Sequence, residues 1–274
     1  MKRFVCLFGV VVALAGTGVS ISRDLQIHDE PPASQASGYL RFETRKFHRE
    51  YGECGGKACV EFTIEYPEII GAHVTEAATI NQTIRQWVLE QFGDRQVPKD
   101  LEGVAQEFIK SYKEARADAS KFKPEYSRPW YRDETVKVEY ESVSVLSLSL
   151  LEEVDSGGMH PVEDLKYASF RPSTGERIHL QDFLKQGYME RLNTIAEGRF
   201  RALKGLSPTE SLNGALFWFK NDRFQLNDNF MLGPNGLAFY FNQYEIACYA
   251  CGTTKLFLPY CDLRDLIRPD AQIP

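Results

Sequence analysis

The sequence carries no surplus of positive charge: 32 Lys and Arg stand against 38 Asp and Glu, a net charge of −6. Phosphate recognition needs a basic patch. Here acids and bases are interspersed, which argues against nucleic acid as the partner. The negative balance is compatible with a basic protein partner, but ordinary solubility is the simpler account. There is no internal repeat and no long low-complexity tract. Histidine is scarce, five in 274 residues. His28, His48, His73 and His179 show no His-x-x-x-His or other ligand spacing, so neither a metal nor a cofactor is expected. No catalytic signature stands out, and no catalytic residue is assigned. These absences leave a globular protein with no activity written in its composition.

What is present begins with Lys2-Arg3, an apolar run over 4–15 and small residues over 16–20. These are the n-region, h-region and cleavage zone of a secretory signal peptide, taken as residues 1–22. The apolar core is short of the about 20 residues a membrane span needs. No span is expected after cleavage. If Val19 and Ile21 extend the run, the segment is an uncleaved anchor instead. Cys6 lies inside the h-region rather than just after it, which sets lipidation aside. Residues 23–37, with Pro31-Pro32, read as a disordered leader.

Residues 39–51 and 60–66 read as two strands, the second from Val60, Phe62, Ile64 and Tyr66 at period 2, closed by Pro67. Between them, Cys54 and Cys59 face each other across a Gly-rich hairpin end. In an exported chain they are best read as a disulfide worth about 2 kcal/mol. Residues 75–92 and 101–117 follow as amphipathic helices, with Trp87 on an apolar stripe. Asn81-Gln82-Thr83 fits the glycosylation sequon but falls in mid-helix, and is discounted. Residues 122–133 form an aromatic junction loop. Residues 135–141 and 143–150 are strands, with a bulge expected near Val145-Leu146.

The centre of the chain is Asp155-Ser156-Gly157-Gly158-Met159-His160-Pro161, a Gly-rich tip between strand-like runs at 143–154 and 162–170. A short strand at 176–180 comes next, then a first turn capped by Asp182 and ended by Gly187. Residues 188–203 read as a helix with Leu192, Ile195, Ala196, Phe200 and Leu203 inward. A shorter helix is expected over 208–219. Residues 224–232 and 237–241 form a second hairpin. Its tip places Pro234 in a type I turn and Gly236 where φ must be positive. A loop over 242–252 leads to a last strand, 254–258, and a terminal helical turn, 262–267.

Six stretches taken in order carry a resemblance: Gly157 to Pro161, Thr174-Gly175, Leu180 to Leu184, Asn235 to Phe239, Tyr244 to Ala247, and Leu258-Pro259-Tyr260. Together they resemble the extracytoplasmic domain of the RsiV family. Residues 59–71, with Tyr66-Pro67-Glu68, resemble the domain that usually precedes it, which also occurs beside the catalytic module of the peptidoglycan deacetylase PdaC. The resemblance covers roughly residues 39–267. It implies an α+β fold of antiparallel sheets covered by amphipathic helices, in two consecutive halves, 38–125 and 126–270. In the RsiV family this ectodomain binds lysozyme and so triggers proteolysis of an anti-sigma factor. That signalling needs a cytoplasmic segment, and only Met1-Lys2-Arg3 precedes the apolar run, so the anti-sigma role is not expected. Nor is there room before Pro274 for a deacetylase catalytic domain. The expectation is a periplasmic or extracellular binding module, engaging lysozyme-like proteins or peptidoglycan. The alternative is a hydrolase acting on cell-wall glycan around His160.

Cys248-Tyr249-Ala250-Cys251 admits three readings. A redox pair needs a helix N-terminus after it, and Gly252 and a strand follow instead. Zinc held with Cys54 and Cys59 would need four reduced thiols, which export disfavours. A disulfide between Cys248 and Cys251 is left, with Cys261 expected free and buried. Cys251 and Cys261 flank a strand rising about 3.3 Å per residue and cannot pair easily. His160 could serve as a general base or a metal ligand, but a loop histidine bonded to backbone is the favoured account. Glu152-Glu153 and Glu163-Asp164 are read as solvated pairs, since strand neighbours point to opposite faces. Binding is assigned to Met159 and His160 at the central tip and to Tyr244 and Tyr249 in the 242–252 loop, because loops on a rigid sheet carry recognition.

Overall fold

A computed structural model describes residues 40–54, 58–70, 74–92, 98–119 and 129–273. The expected signal peptide and leader lie outside these residues, as does the junction loop up to residue 128. The described residues belong to one compact unit, Gly38–Pro274. The fold is α+β.

Five strands form the larger sheet in chain order: β1 (Arg41–Glu53), β2 (Ala58–Ile70), β3 (Trp130–Glu141), β4 (Leu146–Asp155) and β5 (Val162–Phe170). The pairs are antiparallel except β2–β3, where Val60–Glu65 runs parallel to Trp130–Thr135. A parallel pair needs a long crossover, and the helices α1 (Val74–Glu90) and α2 (Leu101–Ala119) supply it. The sheet therefore runs through both halves named from sequence. Pro67 does not close β2, which continues to Ile70 with Pro67 opposite Thr44. Pairing to β3 stops at Glu65, so beyond it that side of β2 is an open edge, where a missing N–H costs little.

The apolar stripes on the helices bury against one face of this sheet. Ile80, Ile84, Trp87 and Val88 of α1 and Val104 and Ala105 of α2 pack on Phe62, Ile64, Val136, Leu148, Leu150 and Phe170. Asn81 faces inward: it accepts the Ile69 N–H (2.7 Å) and donates to the Ile69 carbonyl (2.9 Å). The bulge is on β3, between Val138 and Tyr140, and not near Val145-Leu146. Leu146–Leu150 of β4 is buried at every position because both faces of the strand are covered.

The second face of β4 and β5 carries a smaller antiparallel sheet, β6 (Phe230–Leu232), β7 (Gly236–Phe241) and β8 (Thr254–Pro259). Two buried serines weld the sheets. Ser147 Oγ donates to the Leu232 carbonyl (2.6 Å), and Ser169 Oγ accepts the Leu232 N–H (2.9 Å). The outer edge of β5 is closed by side chains: Asn229 accepts the Tyr167 N–H (2.7 Å) and Asn242 the Leu165 N–H (2.8 Å). Helix α3 (Tyr188–Lys204) covers the smaller sheet with Leu192, Ala196 and Phe200, whereas Leu203 is exposed.

Several local expectations are overturned. Residues 176–180 make only a single bridge, Phe170 to Arg177. Asp182 ends a 3-10 turn, Leu180–Asp182, and accepts the His179 N–H from inside it (2.7 Å). Residues 208–219 are turns, not a helix. Ser211 and Asn213 side chains capture the Gly214 and Phe219 N–H groups, at 2.8 and 3.0 Å, that a helix would need. Residues 224–229 are not strand. Gly236 has no positive φ; it is needed because a Cβ there would lie 2.3 Å from the Leu258 carbonyl oxygen. Among the described residues no helix is long and apolar enough to cross a membrane.

Candidate functional site

The β4–β5 hairpin tip is built by local chemistry. Asp155 is buried and its Oδ1 accepts the Gly157 N–H (2.9 Å), which sets the turn. Gly157 has φ 83°, and a Cβ there would sit 2.7 Å from Trp130 Nε1. Both the left-handed conformation and the close approach require glycine. Trp130 in turn packs on Phe108 and Tyr112 of α2, with ring centroids 5.9 and 5.5 Å away. The tip thus rests on a tryptophan wedged against a helix. It presents Met159, which is 98% exposed.

His160 turns back toward the 242–252 loop. Its ring stacks on Tyr249 with centroids 3.8 Å apart and planes 28° apart. Tyr244 completes the cluster, with centroids 6.4 Å from His160 and 5.5 Å from Tyr249. His160 Nδ1 lies 2.8 Å from the Pro161 carbonyl oxygen. A carbonyl only accepts, so Nδ1 donates, and in the neutral ring Nε2 is left to accept. Tyr244 Oη lies 3.4 Å from that Nε2, a long, weak donor contact. Tyr249 Oη reaches the Pro161 carbonyl at 3.4 Å. The four residues assigned to binding come from two loops, and three of them meet in one aromatic cluster with Met159 beside it in the chain.

The loop that supplies the tyrosines is held on both sides of Tyr244. Asn242 N–H donates to Glu245 Oε2 (2.8 Å), and the Trp218 N–H donates to the Ile246 carbonyl (2.8 Å). Tyr244 takes φ 64°, a strained conformation for a ring-bearing residue, and its side chain is 53% exposed. Tyr249 opens a 3-10 turn, Tyr249–Cys251, and the Cys248–Cys251 disulfide closes it, with Cα atoms 5.2 Å apart. Cys54 and Cys59 are also bridged, Cα to Cα 4.8 Å. Their sulfurs lie near Glu61, but a disulfide offers no thiolate to a metal. Cys261 is not free, contrary to expectation; it is disulfide-bonded and only half-buried. Two described disulfides suit an oxidising, exported location.

Among the described residues, no carboxylate and no Ser or Cys nucleophile bonds to His160. Among the described residues its ring nitrogens contact only the Pro161 carbonyl and Tyr244. The carboxylates behave differently from expectation. Glu152 and Asp164 are half-buried on the helix-covered face, Glu152 paired with Arg132 at 2.8 Å and Asp164 with Lys166 at 3.7 Å. Glu153 and Glu163 are exposed and lie opposite each other, with Asp133 opposite Glu153 on the other side. Asp133, Glu153 and Glu163 thus form a row across three strands. None of them makes an ion pair or side-chain hydrogen bond among the described residues. Alternation along β5 puts Glu163 on the same face as Leu165 and Tyr167, which pack with Tyr240. The row therefore lies on the face that carries the smaller sheet, just below the hairpin tip that holds His160. Sequence reasoning missed this row, Trp130 and Asp155. Only the Asp155-Ser156-Gly157 turn pattern carried a usable signal.

Two stretches of the chain match known families. Residues 181–261 match the family described as a protein of unknown function, DUF3298, and residues 53–163 match the one described as deacetylase PdaC. The chain thus contains a PdaC-like domain. The aromatic cluster takes His160 from one matched stretch and Tyr244 and Tyr249 from the other. A DUF3298 family member from Bacteroides fragilis NCTC 9343 has a similar structure, with TM-score 0.69 at 18% identity over 85% of this chain and 95% of that one. A DUF3298 family protein from Pseudomonas aeruginosa PAO1 gives 0.64 at 18% identity over 84% and 95%. At this identity the likeness is one of fold. No curated protein matches the chain.

Proposed function

We propose that this protein is an exported, non-enzymatic binding module of the bacterial envelope. Its recognition surface is Met159, His160, Tyr244 and Tyr249, flanked by Asp133, Glu153 and Glu163. The observation that carries the reading is the stacking of His160 on Tyr249, which joins two loops into one aromatic surface. Aromatic side chains supply large contact area at low entropy cost and are enriched where binding energy concentrates. The unpaired carboxylates beside them favour a cationic protein surface and would speed its encounter. Lysozyme is such a protein, and the resemblance to the RsiV family points to it in particular. The deacetylase name of the matched family attaches to a stretch that resembles a companion domain, and among the described residues no carboxylate bonds to His160.

The test is a titration of the purified protein with lysozyme, with peptidoglycan in a parallel arm. Tyr244→Ala and Tyr249→Ala should each weaken lysozyme binding by about 1–2 kcal/mol or more. Both variants should keep the native circular dichroism spectrum. Affinity should also fall as salt is raised. Unchanged affinity in both tyrosine variants would sink this assignment. Glycan release that is lost in His160→Ala would favour the hydrolase instead.

A further inference from the structure

We propose that the Cys248–Cys251 disulfide is a latch that holds the aromatic surface together, and that reduction by an external dithiol takes the surface apart. The inference rests on the binding reading above and adds a control to the same site. Tyr249 is the ring that ties the two loops to each other. Its aromatic contacts go to His160 and Tyr244, and its hydroxyl goes to the Pro161 carbonyl. All of these belong to the surface itself. What positions Tyr249 from behind is a turn of three residues, held by the Cys251 N–H on the Cys248 carbonyl (2.9 Å) and the Gly252 N–H on the Tyr249 carbonyl (3.0 Å).

A 3-10 turn this short has too few hydrogen bonds to persist alone, because nucleating a turn fixes several dihedrals for each bond gained. The covalent tie between Cys248 and Cys251 is therefore the dominant constraint on Tyr249. Neighbouring constraints do not replace it. Ile246 and Ala247 are buried before the pair, and β8 begins at Thr254 after it, so both ends of the loop are fixed while the middle is not. The two pairs also differ in access. Cys251 is exposed and Cys248 half-buried, whereas Cys59 is buried at 1% exposure. A dithiol should therefore reach the 248–251 bridge before the 54–59 bridge.

The step balances as thiol–disulfide exchange. A thiolate of the reductant attacks the exposed Cys251 sulfur, and Cys248 leaves as thiolate. The reductant's second thiol then displaces Cys251. The protein gains two electrons and two protons and the dithiol becomes a disulfide. Binding to a surface that must first be reassembled is weaker, since ordering is then charged to the binding step.

The experiment compares oxidised protein, protein treated with dithiothreitol, and the Cys248→Ser/Cys251→Ser double variant. The first readout needs no partner: the ring C–H signals of His160 in proton NMR, displaced by the current of the Tyr249 ring. In the double variant and after reduction these signals should move toward those of a free imidazole, while circular dichroism stays native. The second readout is lysozyme affinity, expected to fall about tenfold, as in Tyr249→Ala, which itself should no longer respond to dithiothreitol. His160 signals that coincide in oxidised and double-variant protein would overturn the latch. Should lysozyme bind none of these forms, the partner assignment fails while the NMR arm still decides whether the disulfide holds the surface.

Discussion

Glu134 shows how one residue can set a pH response. Its side chain has no exposure, and Arg132 Nε donates to Oε1 at 2.9 Å. Oε2 has no partner among the described residues. Burial pushes this carboxyl up from 4.5 to about 7; Arg132 opposes the rise and Glu152 adds to it, with Lys166 a smaller opposing charge. The folded state thus keeps a proton that the unfolded state has already lost. The contribution of Glu134 to stability should be full below about pH 4.5, fall as pH rises toward 7, and level off above it. The loss amounts to about 3 kcal/mol at 1.36 kcal/mol per pH unit. Glu134→Gln keeps an acceptor for Arg132 and removes the charge. Urea unfolding at several pH values should show the variant matching wild type near pH 5 and exceeding it by about 1–3 kcal/mol near pH 8.

At the scale of elements, the β3–β4–β5 ladder carries a cost in its own fold. Like charges directly opposite on neighbouring strands repel, and Glu153 stands between Asp133 and Glu163. Glu153→Gln should raise stability by about 0.2–1 kcal/mol, and added salt should stabilise wild type more than the variant. On the proposed function, the same substitution should weaken lysozyme binding. A gain in stability with no loss of binding would show that the row takes no part in recognition. The β6–β7 turn is constrained by space rather than dihedral. Gly236→Ala would put a methyl group 2.3 Å from the Leu258 carbonyl oxygen and 2.8 Å from Pro259 Cα. Both are backbone atoms and cannot swing aside, so thermal unfolding should show a loss of about 2–3 kcal/mol or more.

At the scale of the molecule, the two larger hydrophobic cores among the described residues meet at a seam where polar groups lie beside the apolar contact of Tyr167 with Met231 and Ala238. One gathers around α1 and α2, the other around α3 and the smaller sheet. Asn229 works on both sides of the seam. It accepts the Tyr167 N–H and donates to the carbonyls of Leu165 (2.7 Å) and Tyr240 (3.0 Å). Asn229→Ala strands the Tyr167 N–H, whereas the Leu165 carbonyl keeps Asn242 Nδ2 (3.1 Å) and the Tyr240 carbonyl keeps Asn227 Nδ2 (2.7 Å). An unsatisfied buried backbone donor costs about 1–3 kcal/mol. The expected result is one shared transition at a lower midpoint, followed by circular dichroism and tryptophan fluorescence together. Separate transitions by the two probes would mean that the cores are independent.

Local sequence determined the elements whose signals lie within a few residues. The apolar spacing of Ile80, Ile84, Trp87 and Val88 set the buried face of α1. The Gly157-Gly158 tip marked the β4–β5 hairpin, and the short separations of Cys54–Cys59 and Cys248–Cys251 marked these two disulfides, but not that of Cys261. Where side chains compete with the backbone the same reasoning failed. Ser211 and Asn213 took the N–H groups of an expected helix, and Gly236 answered to a carbonyl in another strand. The loops named for binding were legible as loops, but the stacking of His160 on Tyr249 was not, since those residues meet only after the smaller sheet docks on β5. Periodicity says which residues of a strand share a face. It does not say which strand lies alongside or in what register. Register placed Asp133, Glu153 and Glu163 side by side, and the packing of α1 and α2 sealed Glu134 from water.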